Sequence, residues 1–378
     1  MNKTTEHTTA SDRKKIIHFH VVLASFSRND IHLLSQYHDV ESFVFDGVKK
    51  WKVPYLFVKQ FFFLLFRFKK PDLYISQFAG YHSFLPAIFG KLFGIPSLVI
   101  LGGSDSVSFP SIQYGNFNRV VFGKFTKWSL MYSDHLSPVH ESLVNGAYTY
   151  DDADYPRQGY QYFHPKIHTP YTVLRYGYDP EKFKPVGERQ PNTFLTVGFL
   201  NKQNYYRKGI DLIVQVAPHF PECKFRIIGS ANDEYARNLP PNVEILAKVA
   251  YDELPRYYSQ ATYYFQVSIC EGFPSAICEA MLCGCIPIGS NVAAIPEIIG
   301  DTGFILNKRD VEAFRKLIET AMHSDTQSLS AKARSQIMQL CPKDERMKLV
   351  ELVNQLMHVQ AGAGEQHTKA PLHQKATT

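Results

Sequence analysis

The sequence predicts an α/β protein of two domains, each built on a parallel sheet. Three observations predict it. Short apolar runs alternate with segments of helix formers, the pattern of parallel strands and their crossover helices. The 378 residues suffice for two domains, each with its own core. Several apolar runs end in loops carrying Gly, Ser and Asp, at the strand ends where open parallel sheets gather ligands.

The elements follow in order. Residues 1–13 are polar, lack the apolar core of a secretory signal and read as a disordered leader. Residues 15–23 read as the first buried strand, 24–30 as a loop, then a helix through Tyr37. Residues 72–78 are a strand after Pro71. Residues 84–93 are a helix stopped by Gly94, and 97–101 the next strand, ending in Gly102-Gly103-Ser104-Asp105. Residues 132–143 again read as strand, turn and helix. Residues 148–168 are aromatic and acidic without periodicity and read as an inserted loop. The polar stretch 186–192 carries Gly and Pro and suits a hinge, so the domains are expected at 14–185 and 186–342. A helix runs from Asp310 to His323, an amphipathic helix spans 343–358, and 359–378 read as a disordered tail.

The most informative stretch is 268–303. An apolar run leads into Glu271-Gly272-Phe273-Pro274-Ser275, and Ala276-Ile277-Cys278-Glu279-Ala280-Met281 follows with good helix formers. It reads as strand, Gly-bearing turn and helix, with a carboxylate at each end of the turn. Bare amides near Gly272 can approach an anionic or polyhydroxyl ligand, and the carboxylates can grip sugar hydroxyls. Ser275 is expected to cap the helix, with Pro274 restraining its entry. The helix N-terminus then offers free N–H groups and partial positive charge. Glu279 lies about one helical turn in, aimed at the same ligand from another depth. Gly284-Cys285-Ile286-Pro287 reads as a helix stop and a buried strand, and Pro296-Glu297-Ile298-Ile299 opens another helix. Two glutamates alone would read as solvated charge; these elements in order read as a site.

Glu-Gly-Phe-Pro-x3-Cys-Glu-Ala-Met, followed by Gly-Cys-Ile-Pro-Ile and Pro-Glu-Ile-Ile, resembles the donor-site signature of the retaining family-4 type glycosyltransferases (glycosyl transferases group 1). The resemblance covers about residues 16–353, specific in the second half and looser in the first. It implies the GT-B architecture: two Rossmann-like domains with parallel sheets facing a central cleft, the second holding most of a nucleotide-sugar. By position, Glu271 would meet the donor sugar hydroxyls. The amides of Gly272, Phe273 and Ser275, around Pro274, would line the sugar and pyrophosphate. Glu279 would bind the ribose, and Gly229 would approach the nucleotide. The Gly103 to Asp105 loop sits where the family places acceptor or catalytic contacts. The final helix would return to the first domain. Many members have Arg directly after the Val-Gly of the second domain's first strand; Phe199 stands there, and Arg207 is expected to supply the missing charge.

Adjacent cations at a helix start are unfavourable beside the dipole unless an anion is present, so Arg207 and Lys208 read as diphosphate ligands. Solvated surface charge is the plain alternative. Asp105 is the leading polar candidate of the first domain, yet Ser and Asp after glycines equally start a turn. His140 and Gly103 are acceptor-side candidates, with a capping role open for His140. Asp152-Ala153-Asp154 spells the D-x-D that chelates metal in other glycosyltransferases, but it is not at a strand end and reads as loop charge. The resemblance implies no metal for donor binding. All six cysteines sit in apolar contexts in the second half, without zinc spacing, and read as buried thiols of a reducing cytosol.

A net charge of +6 is too small to argue for nucleic acid. No segment reaches the ~18 apolar residues of a spanning helix. Residues 48–70 mix Lys and Arg with large aromatics, which suits an anionic bilayer surface or a core helix with snorkelling lysines. The expectation is a metal-independent retaining glycosyltransferase with no resident cofactor. It would move a sugar from a nucleoside-diphosphate sugar to a glycan or lipid-linked acceptor in cell-surface polysaccharide synthesis. It would be cytoplasmic, and peripheral on the inner membrane face where the basic segment binds lipid. The rivals are a catalytically silent nucleotide-sugar-binding or membrane-associated scaffold, and an epimerase or phosphorylase of the same architecture.

Overall fold

The computed structural model describes residues 13–47, 49–229 and 238–367, with side chains as far as residue 358. The first sheet is built from β1 (Lys15–His20), α1 (Ser25–Ser35), β2 (Asp39–Val44), α2 (Val53–Leu65), β3 (Leu73–Gln77), α3 (Tyr81–Phe93), β4 (Ser97–Leu101), α4 (Val120–Tyr132) and β5 (His135–Pro138). Its order is β2-β1-β3-β4-β5, every pair parallel. A small antiparallel pair, β6 (Gly146–Ala147) and β7 (Arg157–Gln158), lies between α5 (Ser142–Asn145) and α6 (Tyr160–Phe163).

The second sheet takes β8 (Thr193–Val197), β9 (Lys224–Ile228), β10 (Val243–Leu246), β11 (Tyr263–Gln266), β12 (Ile286–Ser290) and β13 (Phe304–Leu306). Its order is β10-β9-β8-β11-β12-β13, again parallel throughout. Its helices are α7 (Lys202–Arg207), α8 (Ile210–Val216), α9 (Leu254–Gln260), α10 (Ser275–Leu282), α11 (Ile295–Ile299), α12 (Val311–Met322), α13 (Thr326–Leu340) and α14 (Met347–His367). β3, β4, β11 and β12 are buried at every residue, because helices cover both faces of a parallel sheet. Phe194 stacks between Phe225 and Tyr263, with ring centroids 5.0 and 4.7 Å away.

Tertiary contacts changed several local expectations. The stretch 24–30 is helical, not a loop: α1 begins at Ser25 and turns Ser27, Asp30 and Leu34 inward. Residues 148–168 are not a loose insertion. Tyr148, Tyr150 and Tyr160 are buried, and Tyr150 donates its hydroxyl to the Val267 carbonyl at 3.3 Å across the domain boundary. Aromatics buried by a partner domain leave no periodicity in their own segment. α13 has no counterpart among the expected elements. α14 continues past residue 358 to His367; the expected leader to residue 12 and the tail from 368 lie outside the described residues. Leu349, Val350 and Val353 of α14 pack with Ile16, Leu73 and Ile100 of the first sheet. Among the described residues, no helix is long and apolar enough to cross a membrane.

A buried ion pair fastens that return. Arg346 donates to both Asp30 oxygens at 2.8 and 2.6 Å and to the Leu174 carbonyl at 3.1 Å, and its guanidinium lies 4.5 Å from the Tyr176 ring centre. Breaking such a pair from one side strands a buried charge. Asp30→Ala is therefore expected to cost about 3–5 kcal/mol in chemical denaturation, and Asp30→Leu with Arg346→Met to recover most of it. Equal losses in the single and double variants would contradict this account.

Candidate functional site

β11 delivers the chain into a loop whose residues 267–270 are all buried. The loop is tied down by the Ile269 amide on the Arg207 carbonyl at 2.8 Å and by the Ser290 hydroxyl on the Ser268 carbonyl at 2.7 Å. Glu271 follows, its side chain 11% exposed, and four donors converge on its Oε1. These are Lys208 Nζ at 3.0 Å, Ser268 Oγ at 3.0 Å, Gln266 Nε2 at 3.1 Å and an Arg207 guanidinium nitrogen at 3.4 Å. Burial opposes the charge on Glu271, but Lys208 and then Arg207 hold its carboxyl below the usual range. Burial pulls the Lys208 ammonium down against the pull of Glu271. The Arg207 guanidinium is held up by Glu271 despite burial. Arg207 is also fixed by Asn204 Oδ1 at 3.0 Å and the Cys270 carbonyl at 3.2 Å, and lies 5.2 Å from the Tyr114 ring centre.

These cations do not stand at a helix start, as the sequence led one to expect. Arg207 ends α7 and Lys208 caps its C-terminus, where cations are at home. α8 starts only at Ile210, after Gly209 at φ +70°. A Cβ on Gly209 would sit 2.3 Å from the Val267 carbonyl oxygen, so the turn has room for glycine alone. Glu271 is the anion that both cations meet.

Glu279 sits one turn into α10. It accepts the Tyr251 hydroxyl at 2.9 Å and the Tyr258 hydroxyl at 3.1 Å. Burial raises its carboxyl from 4.5 to about 7, against the lowering pull of the two tyrosines and Lys182. It borders a cleft of about 500 Å³ between the domains, shared with Ser25, Asp30, Tyr178, Lys182 and Ser275. Tyr251 also walls a second cavity of about 280 Å³ with Gly198, Phe199, Gly229, Lys248 and Val249. A Cβ on Gly229 would lie 2.0 Å from the Gly198 carbonyl oxygen, so that glycine serves close strand-end packing. Ser275 is the first residue of α10, not its cap. Pro274 holds the cap position, and the Ser275 hydroxyl accepts from Tyr178 at 3.0 Å.

The first-domain candidates are placed differently from the expectation. Asp105 is fully buried; its two oxygens take the Gly103 and Ala79 amides at 3.0 and 3.1 Å. Burial raises it to about 6 against those amides, and it brackets two loops without facing the cleft. His140 bridges the domains. The Ser142 amide donates to Nδ1 at 3.2 Å, so the ring proton is on Nε2, 3.0 Å from Glu297. Arg175 holds the other Glu297 oxygen. Gly103 abuts the donor turn, and a Cβ on Gly272 would lie 2.2 Å from the Gly102 carbonyl oxygen. The turn thus faces the first domain, Phe273 is buried, and Glu271 borders a small cavity of about 20 Å³. Asp152 pairs with Lys308, and Asp154 accepts from Ser111. All six cysteines are buried free thiols. Among the described residues, no group of three His, Cys, Asp or Glu is placed to hold a metal. Sequence reasoning missed Gln266, Ser268 and Tyr114. Gln266 and Ser268 were legible only as polar residues in an apolar run.

The family model for glycosyl transferases group 1 matches residues 179–337. A phosphatidylinositol N-acetylglucosaminyltransferase subunit from Arabidopsis thaliana is 27% identical over 175 residues, 40% of this chain and 39% of that protein. The Escherichia coli O-antigen chain mannosyltransferase B is 35% identical over 92 residues, 24% of each chain. The chain thus spans well under half the length of these relatives. Sucrose-phosphate synthase from Thermosynechococcus elongatus superposes with TM-score 0.71 at 16% identity, over 92% of this chain and 100% of that one. Anabaena HepE with UDP and glucose gives 0.65 at 16% identity, over 91% and 100%. At such identity the structural likeness establishes the fold, which is GT-B. The stretch that matches the glycosyl transferases group 1 model includes the strand, turn and helix of the second sheet that carry Glu271 and Glu279.

Proposed function

We propose that this protein is a retaining glycosyltransferase that moves a sugar from a nucleoside-diphosphate sugar to a glycan or lipid-linked acceptor. One observation carries the reading: Arg207 and Lys208 converge on the one carboxylate of Glu271, which is largely withdrawn from solvent where the domains meet. Two cations on one carboxylate leave a positive charge over. Negative charge grows on the departing diphosphate in the transition state, so fixed cations in a dry site lower the barrier. Side chains supply that charge, and the proposed reaction needs no metal or resident cofactor.

Glu271 takes all four of its donors on Oε1, which leaves Oε2 for a donor-sugar hydroxyl. Held ionised, it orients the sugar and does not attack it. The nucleoside would occupy the cavity beside Phe199 and Tyr251, with the ribose reaching Glu279. A space of about 20 Å³ admits no hexose. The donor would enter with Gly102 and Gly103 withdrawn from Gly272, and closure would then exclude water. The relatives support the acceptor class: one is named for transfer to phosphatidylinositol, the other for an O-antigen chain.

The acceptor class and the surface of α2 both support a position on the inner face of a membrane. Leu56, Gln60 and Leu64 of α2 turn into the core, whereas Tyr55, Val58, Phe61, Phe62 and the following Phe66 are exposed. Trp51 and Phe66, at the two ends, are each 73% exposed. The helix therefore serves both readings at once: one face packs on the sheet, the other offers aromatics between Lys49, Lys52, Arg67, Lys69 and Lys70.

Three measurements test this reading. In a thermal-shift screen against UDP, GDP, ADP, CMP and their sugars, one nucleotide class is expected to stabilise the protein, and Arg207→Ala with Lys208→Ala to abolish the shift. Stabilisation without any sugar transfer or donor hydrolysis would instead identify a silent binding scaffold. Glu279 gives a pH signature. Its carboxyl titrates higher folded than unfolded, so the folded state keeps the proton longer, and stability contributed by this group is lost as pH rises from 4.5 to about 7. Wild type should lose ~3 kcal/mol more than Glu279→Gln across that window, and nucleotide affinity should rise through pH 7 only in wild type. Parallel stability curves would remove the assigned shift. Finally, the protein should sediment with anionic vesicles, with Lys69→Gln and Lys70→Gln each weakening binding by ~1 kcal/mol and Phe62→Asp with Phe66→Asp abolishing it.

A further inference from the structure

A hairpin of the first domain reaches a cation of the second. The Phe109 amide donates to the Tyr114 carbonyl at 2.8 Å, and the Tyr114 amide to the Phe109 carbonyl at 3.0 Å, which closes the loop between them. Glycine at 115 lets the chain leave the hairpin: its φ is +97°, and a Cβ there would lie 2.2 Å from the Val107 carbonyl oxygen. The base is held within the first domain. The Ser108 amide and carbonyl both bond the Gln158 side chain at 3.0 Å. Phe109 is buried, edge-on to Tyr148 with ring centres 5.0 Å apart, and the Ser111 amide donates to Asp154 at 3.1 Å. The tip crosses to α7. Gln203 Nε2 donates to the Gln113 carbonyl at 3.0 Å, and the Tyr114 ring centre lies 5.2 Å from the Arg207 guanidinium.

The hydrogen bonds of Arg207 give that ring a use. A guanidinium carries five N–H groups on three nitrogens. Nε donates to Asn204 at 3.0 Å; Nη1 donates to the Cys270 carbonyl at 3.2 Å and, at a long 3.4 Å, to Glu271. Nη2 makes no hydrogen bond to a described residue. The ring attracts the cation without neutralising it, as a second carboxylate would. Burial pushes the Tyr114 phenol above its usual range, so it stays uncharged beside the guanidinium. The positive charge of Arg207 is therefore held in place and remains available to an anion.

We infer that Tyr114 is a positioning residue: with the domains closed, its ring holds the Arg207 guanidinium so that Nη2 is left for the departing diphosphate. The inference rests on the transferase reading, which gives Arg207 that partner. The ring comes from the first domain and the cation from the second, so closure and completion of the cation site are one event. Separation of the domains withdraws the ring and leaves Arg207 to its partners on the second domain.

Two variants separate the ring face from mere bulk. Tyr114→Phe keeps the ring; Tyr114→Leu keeps an apolar side chain without a π face. Release of nucleoside diphosphate is followed from UDP-glucose, UDP-N-acetylglucosamine and GDP-mannose. Tyr114→Leu should lower kcat about tenfold and move the donor KM less than about threefold, because the charge that Arg207 meets grows in the transition state. Tyr114→Phe should restore most of the rate. Combined with Arg207→Gln, the two variants should be alike, since the ring then has no cation to hold. Equal rates for Tyr114→Leu and Tyr114→Phe beside an intact Arg207 would overturn the proposal. So would an effect confined to KM, or one that persists with Arg207→Gln.

A binding arm needs no turnover. Calorimetry with UMP against UDP, and GMP against GDP, gives the affinity that the second phosphate adds. Tyr114→Leu should cut that gain about fivefold, and Tyr114→Phe should retain it. A gain that ignores Tyr114→Leu contradicts the assigned role. A ring-dependent gain without turnover of any donor supports Tyr114 and removes the transferase reading alone. Binding of neither diphosphate removes both.

Discussion

Burying the Glu271 carboxylate alone would cost several kcal/mol, and the surrounding chain is arranged to offset that cost. Its four donors come from two segments: β11 and the loop after it, and the C-terminal end of α7. Each must be held within hydrogen-bond reach. The Ile269 amide on the Arg207 carbonyl fixes the distance between them, and glycine at 209 lets the turn pass the Val267 carbonyl. A larger residue at 209 would push Lys208 away and leave the charge short of partners. The geometry of the second domain's upper edge follows from this requirement.

The two domains then meet on groups that neither completes alone. Glu297 of α11 receives the imidazole of His140 and the guanidinium of Arg175, both from the first-domain side. Gly272 approaches the Gly102 carbonyl so closely that it tolerates no side chain. Arg346 carries the chain back to Asp30. These contacts close the space around Glu271. A site whose charges are strongest when dry has reason to be assembled from two bodies that can separate.

The first domain adds a different chemistry. α2 buries three residues and exposes a row of aromatics, and the sheet edge beside it leaves an apolar cavity with one arginine. Most of the exposed large apolar side chains lie on the first domain.

The sequence alone determined the alternation of strands and helices, the turn between Glu271 and Glu279, the Phe199 departure and the burial of the cysteines, because each is a local pattern of periodicity, turn chemistry or apolar context. It also placed Arg207 and Lys208 together, although for a reason that failed: the helix start is two residues further on. Only the tertiary structure decided that Asp105 braces loops, that Ser275 is not a cap, that α1 begins at Ser25, and that Tyr148 and Tyr150 belong to a core shared across the domains. In each case the deciding partner lies far away in the chain. Asp30 finds Arg346, Tyr150 finds Val267, and Asp105 finds Ala79. A carboxylate's role depends on which donors reach it, and that is a property of packing, which no window of sequence contains.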